Sequence, residues 1–401
     1  MRLGIIKEGK TPPDHRVPLT PEDAKKLMQQ YPDLKIVAQS SEIRCISDSS
    51  YSDGGIEVVD SLEDCDVIIG VKEVPLDMLL ADKTYMFFSH TLKAQPYNRE
   101  LMLEVLKKNI RLIDHETLIE ESNARLIGFG RYAGIVGAYN ALLAYGKRTG
   151  GFNLKPAHET AGISEMDAEV QKCKLNNSKI LITGGGKVAF GAEETLTAAK
   201  IRQVSVNAYL TESFDEAIFA RTDMDSYYEL PGSSEFNHGH FFQNSAAYHS
   251  TFDKFWKQTD ILVSSHYWDN VSEVFFKLGD INKPEFRIKV IADITCDING
   301  SIPTTIRPST IADPIYGVDK QSGEEATSYS DNSITVMAVD NLPCEIPMDA
   351  SIGFSEMMSE RIIPSFMNGD KDGILERGAM TTIDGKLTER FSYLQEYVDG
   401  K

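Results

Sequence analysis

The stretch GVKEVPLDMLLADKTYMFFSHTLKAQ, residues 70 to 95, decides how the chain is read. It opens at the end of one short apolar run, DVIIGV (66–71), and contains a second, YMFF (85–88). Runs of this length between polar turns are the pattern of strands buried on both faces, as in a parallel sheet. Lys72 and Glu73 follow the first run directly, and His90 and Lys93 follow the second. Open α/β sheets bind ligands beyond the carboxyl ends of their strands, so two neighbouring strands here would deliver an amine and an imidazole to one crevice. That is the outline of an acid/base site. Polar residues also end strands simply because they meet water; the combination is what argues for chemistry.

Working outward, residues 3–6 give a first strand, followed by the polar loop KEGKTPPDHRVPLTPED, which contains Arg16. Thr20 is an N-cap, with Pro21 at the first helical position and acids in the first turn, and the helix is expected to reach about Tyr31. Further strands are expected at 35–38, 56–59, 66–71, 85–88 and 110–114, with a helix over 96–108. The alternation is a βαβ pattern and predicts a parallel sheet. A Gly- and Ala-rich helix, IVGAYNALLAYGKR, then leads into another domain.

KILIT (179–183) starts that second domain and runs into Gly184-Gly185-Gly186-Lys187-Val188-Ala189, which fits G-x-G-x-x-G/A between a strand and a helix. Glycines let the backbone approach a pyrophosphate, whose charge meets free N–H groups at the helix start. The same fingerprint expects an acid about 20 residues on, closing the next strand. That strand is read as VSV, ending at Asn207; the first acid beyond is Glu212, and Arg202 lies before the strand. The choice between NAD and NADP is therefore open, with NAD favoured only slightly. Strands are expected again at 261–264, 290–293 and 335–339, and a helix at 349–366 that returns to cover the first domain. The aromatic, acidic span 210–256, with Gly232, Ser233 and Ser234 inside it, is read as a surface insertion. Its His238, His240 and His249 have no carboxylate or thiol at a ligand spacing, so no metal site is expected.

The fold class is therefore α/β: two Rossmann-like parallel-sheet domains separated by an active-site cleft. The first domain would comprise residues 1–130 plus about 345–401, and the second, dinucleotide-binding domain 131–344. The chain has 401 residues, 41% hydrophobic, and 41 Lys plus Arg against 60 Asp plus Glu, for a net charge of −19. That balance argues against nucleic acid or an anionic membrane as partner. Five scattered cysteines without a CxxC pair suggest reduced thiols. No apolar run approaches the roughly 20 residues of a membrane helix, and the amino terminus does not resemble a signal peptide, so a cytoplasmic protein is expected.

The motifs HRVPLTP, GVKEVP, FFSHTLKAQ, RLIDHETL, RLIGFGRYAGIVGA, TGGGKVAFGA, DITCDINGSI and VDNLPCEIP occur here in one order. In them the chain resembles lysine-forming saccharopine dehydrogenases and the lysine–2-oxoglutarate reductase half of the bifunctional lysine-degrading enzyme, within the alanine dehydrogenase and transhydrogenase group. The resemblance implies reversible, NAD(P)-dependent oxidative cleavage of saccharopine to lysine and 2-oxoglutarate. It implies Lys72 and His90 as the acid/base pair and Arg16 as a partner of a substrate carboxylate, with Glu73, Lys93, Glu116, Arg125 and Phe129 around the substrate. For the cofactor it implicates Gly186, Lys187, Val188, Tyr267, Ile294 and Val339, Asp340, Asn341 and Leu342. Fungal members carry two arginines where this chain has Ala124 and Arg125, and Arg131 is the expected stand-in. A small-molecule amino-acid or oxo-acid partner follows. Two other readings fit the same fold: an alanine-type amino-acid dehydrogenase, and a nucleotide-binding subunit without catalysis.

Overall fold

A computed structural model describes residues 1–233 and 235–400, so that Ser234 and Lys401 lie outside the described residues. The chain divides into two compact units, Met1–Phe129 with Pro347–Lys401, and Gly130–Ile346.

The first unit holds β1 (Arg2–Ile5), β2 (Lys35–Gln39), β3 (Glu57–Val59), β4 (Val67–Ile69), β5 (Thr84–Phe87) and β6 (Arg111–Asp114). They form one sheet in the order β3-β2-β1-β4-β5-β6, every neighbouring pair parallel. Helix α1 (Pro21–Gln30) starts as its residues dictate, with the Thr20 side chain accepting the Asp23 amide. Helices α2 (Asp48–Asp53) and α3 (Arg99–Lys107) complete the crossovers. Because the strand order departs in both directions from β1, the switch of winding falls between β1 and β4. The carboxyl-terminal segment closes the open edge: Met380 N–H donates to Leu112 O at 2.7 Å, and Thr381 Oγ1 accepts the Leu112 amide at 2.8 Å. Helix Pro347–Met357 drives Phe354 into the same core as Leu3, Ile5 and Val17. The single helix expected over 349–366 is broken by a π-turn at Met358–Ile362, just ahead of Pro364, which has no amide hydrogen to continue the ladder.

The second unit begins with α4 (Gly130–Thr149) and α5 (Ile163–Val170), then β7 (Lys179–Thr183), α6 (Lys187–Ala198), β8 (Arg202–Gln203), α7 (Val206–Thr211) and β9 (Ile218–Thr222). A small antiparallel pair, β10 (Tyr228–Glu229) and β11 (His249–Ser250), precedes β12 (Ile261–Ser264), β13 (Val290–Asp293), β14 (Ile315–Asp319), β15 (Glu325–Ala326) and β16 (Ser333–Met337). The large sheet runs β15-β14-β16-β13-β12-β7-β9-β8, parallel except for β14 and β15 at one edge. Two expectations are corrected here. Residues 204–206 are no strand: Ser205 caps α7 by accepting the Ala208 amide. Nor is 210–256 a surface insertion throughout, since β9 lies beside β7 and Phe241, Tyr248, Phe252 and Phe255 are buried.

The small residues of α4 serve close packing. A Cβ at Gly134 would fall 1.9 Å from Val188 O, and one at Gly191 of α6 would fall 2.0 Å from Arg131 O. The two helices thus meet backbone to backbone. Gly134→Ala is expected to destabilise the protein by at least about 1–3 kcal/mol, the range for forcing atoms into a filled site. A thermal melt followed by circular dichroism checks this, and an unshifted transition would contradict the packing described.

Candidate active site

The switch point of the first sheet gathers titratable groups from three loops. Glu8 follows β1, and both of its oxygens accept amides from the loop after β4, Val71 N–H at 2.6 Å and Lys72 N–H at 2.9 Å. Burial, with Asp14 nearby, pushes the Glu8 carboxyl up to about 8. Gly70 O accepts from the Nε2–H of the buried His115 at 2.9 Å. Burial holds that imidazole down at about 4, so it stays neutral. The backbone on either side of Lys72 is therefore clamped.

Lys72 is half-buried, and its Nζ makes no hydrogen bond or ion pair among the described residues. Its pKa is lowered, first by burial and then by the charges of Arg16 and Lys10. A lysine in such surroundings gives up its proton more readily than one in water.

Glu73 is a hub. Lys10 Nζ donates to it at 2.9 and 2.8 Å, and His90 Nδ1 lies 2.6 Å from its Oε1. Burial works against the Glu73 carboxylate, but the hydrogen bonds from His90 and Lys10 more than offset this and hold it at about 2. Since Glu73 is then an anion that only accepts, Nδ1 carries the hydrogen, and in the neutral ring the lone pair lies on Nε2. His90 sits in the left-handed region, φ 51°, in the loop after β5. That loop is secured where Ser89 N–H and Oγ–H both donate to the buried Asp114.

Arg16 is 2% exposed, and its Nε and Nη2 donate to Asp14 at 3.0 and 2.6 Å. Its guanidinium lies 4.1 Å above the Phe129 ring, which stacks on Phe354 at 4.4 Å. Arg125 pairs with Glu116 at 3.4 Å, and Lys93 is exposed. Arg131 belongs to the second unit, where Glu194 clasps its guanidinium at 2.6 to 3.1 Å. Of the groups expected around the substrate, the fold brings Lys72, Glu73, His90 and Arg16 into one neighbourhood, and adds Glu8, Lys10 and Asp14. The strand-end rule applied to β1 would have found Glu8.

In the second unit the expected cofactor residues follow the carboxyl ends of neighbouring strands. Gly184 follows β7, Tyr267 lies three residues past β12, Ile294 follows β13, and Val339 to Leu342 follow β16. Gly184 has φ 106°, and a Cβ there would meet Ser265 O at 2.8 Å. Gly186 caps α6 without any side-chain hydrogen bond, and a helix start of this kind is where an anion can meet backbone amides. Asp223, which closes β9, was missed by spacing. A Cβ on Gly185 would fall 2.2 Å from its Oδ2, so the carboxylate lies directly over the glycine turn. These features fit a dinucleotide, with the acid placed where ribose hydroxyls are held.

Comparison with known proteins agrees with this architecture. Residues 4–136 match the family model for the alanine dehydrogenase/PNT N-terminal domain. The chain shares its fold with an L-alanine dehydrogenase, at a TM-score of 0.65 and 16% identity over 100% of this chain and 99% of that one. The chain thus has the fold of an alanine dehydrogenase, and its first third matches that family's amino-terminal domain. In sequence it is similar to alpha-aminoadipic semialdehyde synthase of Arabidopsis thaliana, 27% identical over 98% of this chain and 41% of that protein. It is also similar to saccharopine dehydrogenase [NAD(+), L-lysine-forming] of Yarrowia lipolytica, 23% identical over 92% of each chain. The chain spans less than half the length of the synthases it matches.

Proposed function

We propose that the chain is a saccharopine dehydrogenase of the lysine-forming type that uses NAD. The observation that carries the proposal is Lys72: an amine of depressed basicity, clamped at the switch point of the first sheet, beside an imidazole whose tautomer Glu73 fixes. The names of the sequence relatives supply the substrate class.

Saccharopine is a secondary amine with three carboxylates. Oxidation at its C–N bond requires the nitrogen lone pair, so the first task is to remove a proton from the ammonium form. Neutral Lys72 accepts it. When bound, the nicotinamide supplies the hydride acceptor. The resulting C=N carbon must then take up water, and His90 Nε2, the acceptor nitrogen of the tautomer that Glu73 fixes, takes a proton from that water. Returning that proton to nitrogen, as the carbinol hydroxyl gives its own back to His90, lets the carbon–nitrogen bond break as the C=O forms, giving lysine and 2-oxoglutarate. Arg16 holds a substrate carboxylate from its place between Asp14 and Phe129. On the second unit, the α6 amides hold the pyrophosphate and Asp223 accepts from the ribose hydroxyls, which favours NAD over the phosphorylated cofactor. A chain of this charge gathers anionic substrate only through such local cations.

The test is NADH oxidation with lysine plus 2-oxoglutarate, run beside pyruvate plus ammonia and beside NADPH. Turnover is expected with the first pair and NADH. Turnover confined to pyruvate and ammonia would assign an alanine dehydrogenase instead, and cofactor binding with no turnover would leave a nucleotide-binding subunit.

A further inference from the structure

Positive charge collects at the opposite end of the second unit's sheet from the glycine turn, ahead of the amino ends of β12, β13 and β16. A cavity of about 720 Å³ opens there, and Arg148, Lys257, Arg287, Lys289 and Lys320 line it together with Glu285 and Asp331. In a chain of net charge −19 a concave surface with five cations and two acids stands apart.

The pairing inside it leaves positive charge over. The buried Asp260 takes both Arg287, at 3.1 and 2.8 Å, and Lys289, at 3.3 Å, so one carboxylate answers two cations. Lys257 pairs with Asp253. Arg148, in the last turn of α4, donates to Thr335 Oγ1 at 2.8 Å and Ser330 O at 2.9 Å, and Lys320, just past β14, donates to Asp331 O at 2.9 Å. Those acceptors are neutral. Burial lowers the Lys320 pKa, and the charges of Arg148 and Lys289 lower it further against the pull of Asp331, as expected where cations crowd one another. A multivalent anion would relieve that repulsion and exchange donors held by neutral oxygens for charge-assisted bonds.

We propose that this cavity binds a small multivalent oxyanion, of the phosphate or polycarboxylate class, between Arg148, Lys289 and Lys320. It is separate from the glycine turn, which lies past the other end of the same strands, and neither substrate nor dinucleotide is assigned to it.

The experiment is isothermal titration of the full chain with inorganic pyrophosphate and, separately, with citrate, at ionic strength held constant with sodium chloride. Each is run with and without saturating NADH, so that an anion at the glycine turn is displaced and only the second site is read. One saturable site that persists in NADH is expected, with Lys320→Gln and Lys289→Gln each weakening it by about tenfold, the effect of one charge-assisted bond. The tighter of the two anions assigns the class. Absence of saturable binding, binding abolished by NADH, or equal affinity in native protein and both variants would overturn the proposal. The melting temperature of each variant shows whether it is folded; a variant that fails to fold leaves the other to decide.

Discussion

Lys72→Met is expected to lower turnover of saccharopine by about 100-fold or more, the lower end for losing a positioned proton acceptor. Methionine keeps the length and apolar stem of the side chain, so the Glu8 clamp on the Val71 and Lys72 amides is untouched. Dinucleotide affinity should be nearly unchanged, because the glycine turn belongs to the other unit. The sign of the pH dependence follows from the same residue. Lys72 must be neutral to accept a proton, so the oxidation rate falls as pH drops through its pKa. Burial and the neighbouring Arg16 and Lys10 lower that pKa, which moves the acidic limb below where an ordinary lysine would put it. In the variant that limb should vanish. Steady-state rates across pH, with cofactor affinity measured by fluorescence, check both halves; a variant with native turnover would remove Lys72 from the chemistry.

Replacing the acid over the glycine turn should change which cofactor is used. Asp223→Ser is expected to cost about 1.5–3 kcal/mol in NAD selectivity, the range for hydrogen bonds to a charged group. This corresponds to a fall of roughly 10- to 150-fold in kcat/KM with NAD. The value with NADP should not fall in step, since a 2′-phosphate would no longer face a carboxylate, so the ratio moves towards NADP. Asp223 Oδ1 also accepts the Met224 amide at 2.8 Å, and serine can still cap that turn. A native NAD to NADP ratio in a variant with a native melting temperature would exclude the role.

Much of this is legible in the sequence itself. Strands buried on both faces must be apolar throughout, and residues 179–183, 261–264 and 290–293 form strands as expected. The Thr20-Pro21 helix start and the polar residues at the ends of β4 and β5 were readable for equally local reasons. What stayed hidden has physical causes. Strand β9, IFART, carries Arg221, which reaches Glu193 at 2.7 Å and covers Phe190 at 4.4 Å, and so it breaks the apolar signature. Its neighbours β8 and α7 lengthen the path, which puts Asp223 far beyond the usual interval from the glycines. β14 was missed because Gly317 interrupts it, where a Cβ would meet Thr327 O at 2.4 Å. The pairings Glu8 makes join residues 63 and 64 positions apart, which only folding brings together.

The backbone contact between α4 and α6 also limits how the protein can be redesigned. With Gly134 and Gly191 each set against a carbonyl of the opposing helix, neither position has space for any side chain, and α6 cannot be re-aimed without carrying α4 along. Attempts to retool the proposed nucleotide site have their room on the β9 side of the glycine turn, which no helix seam borders.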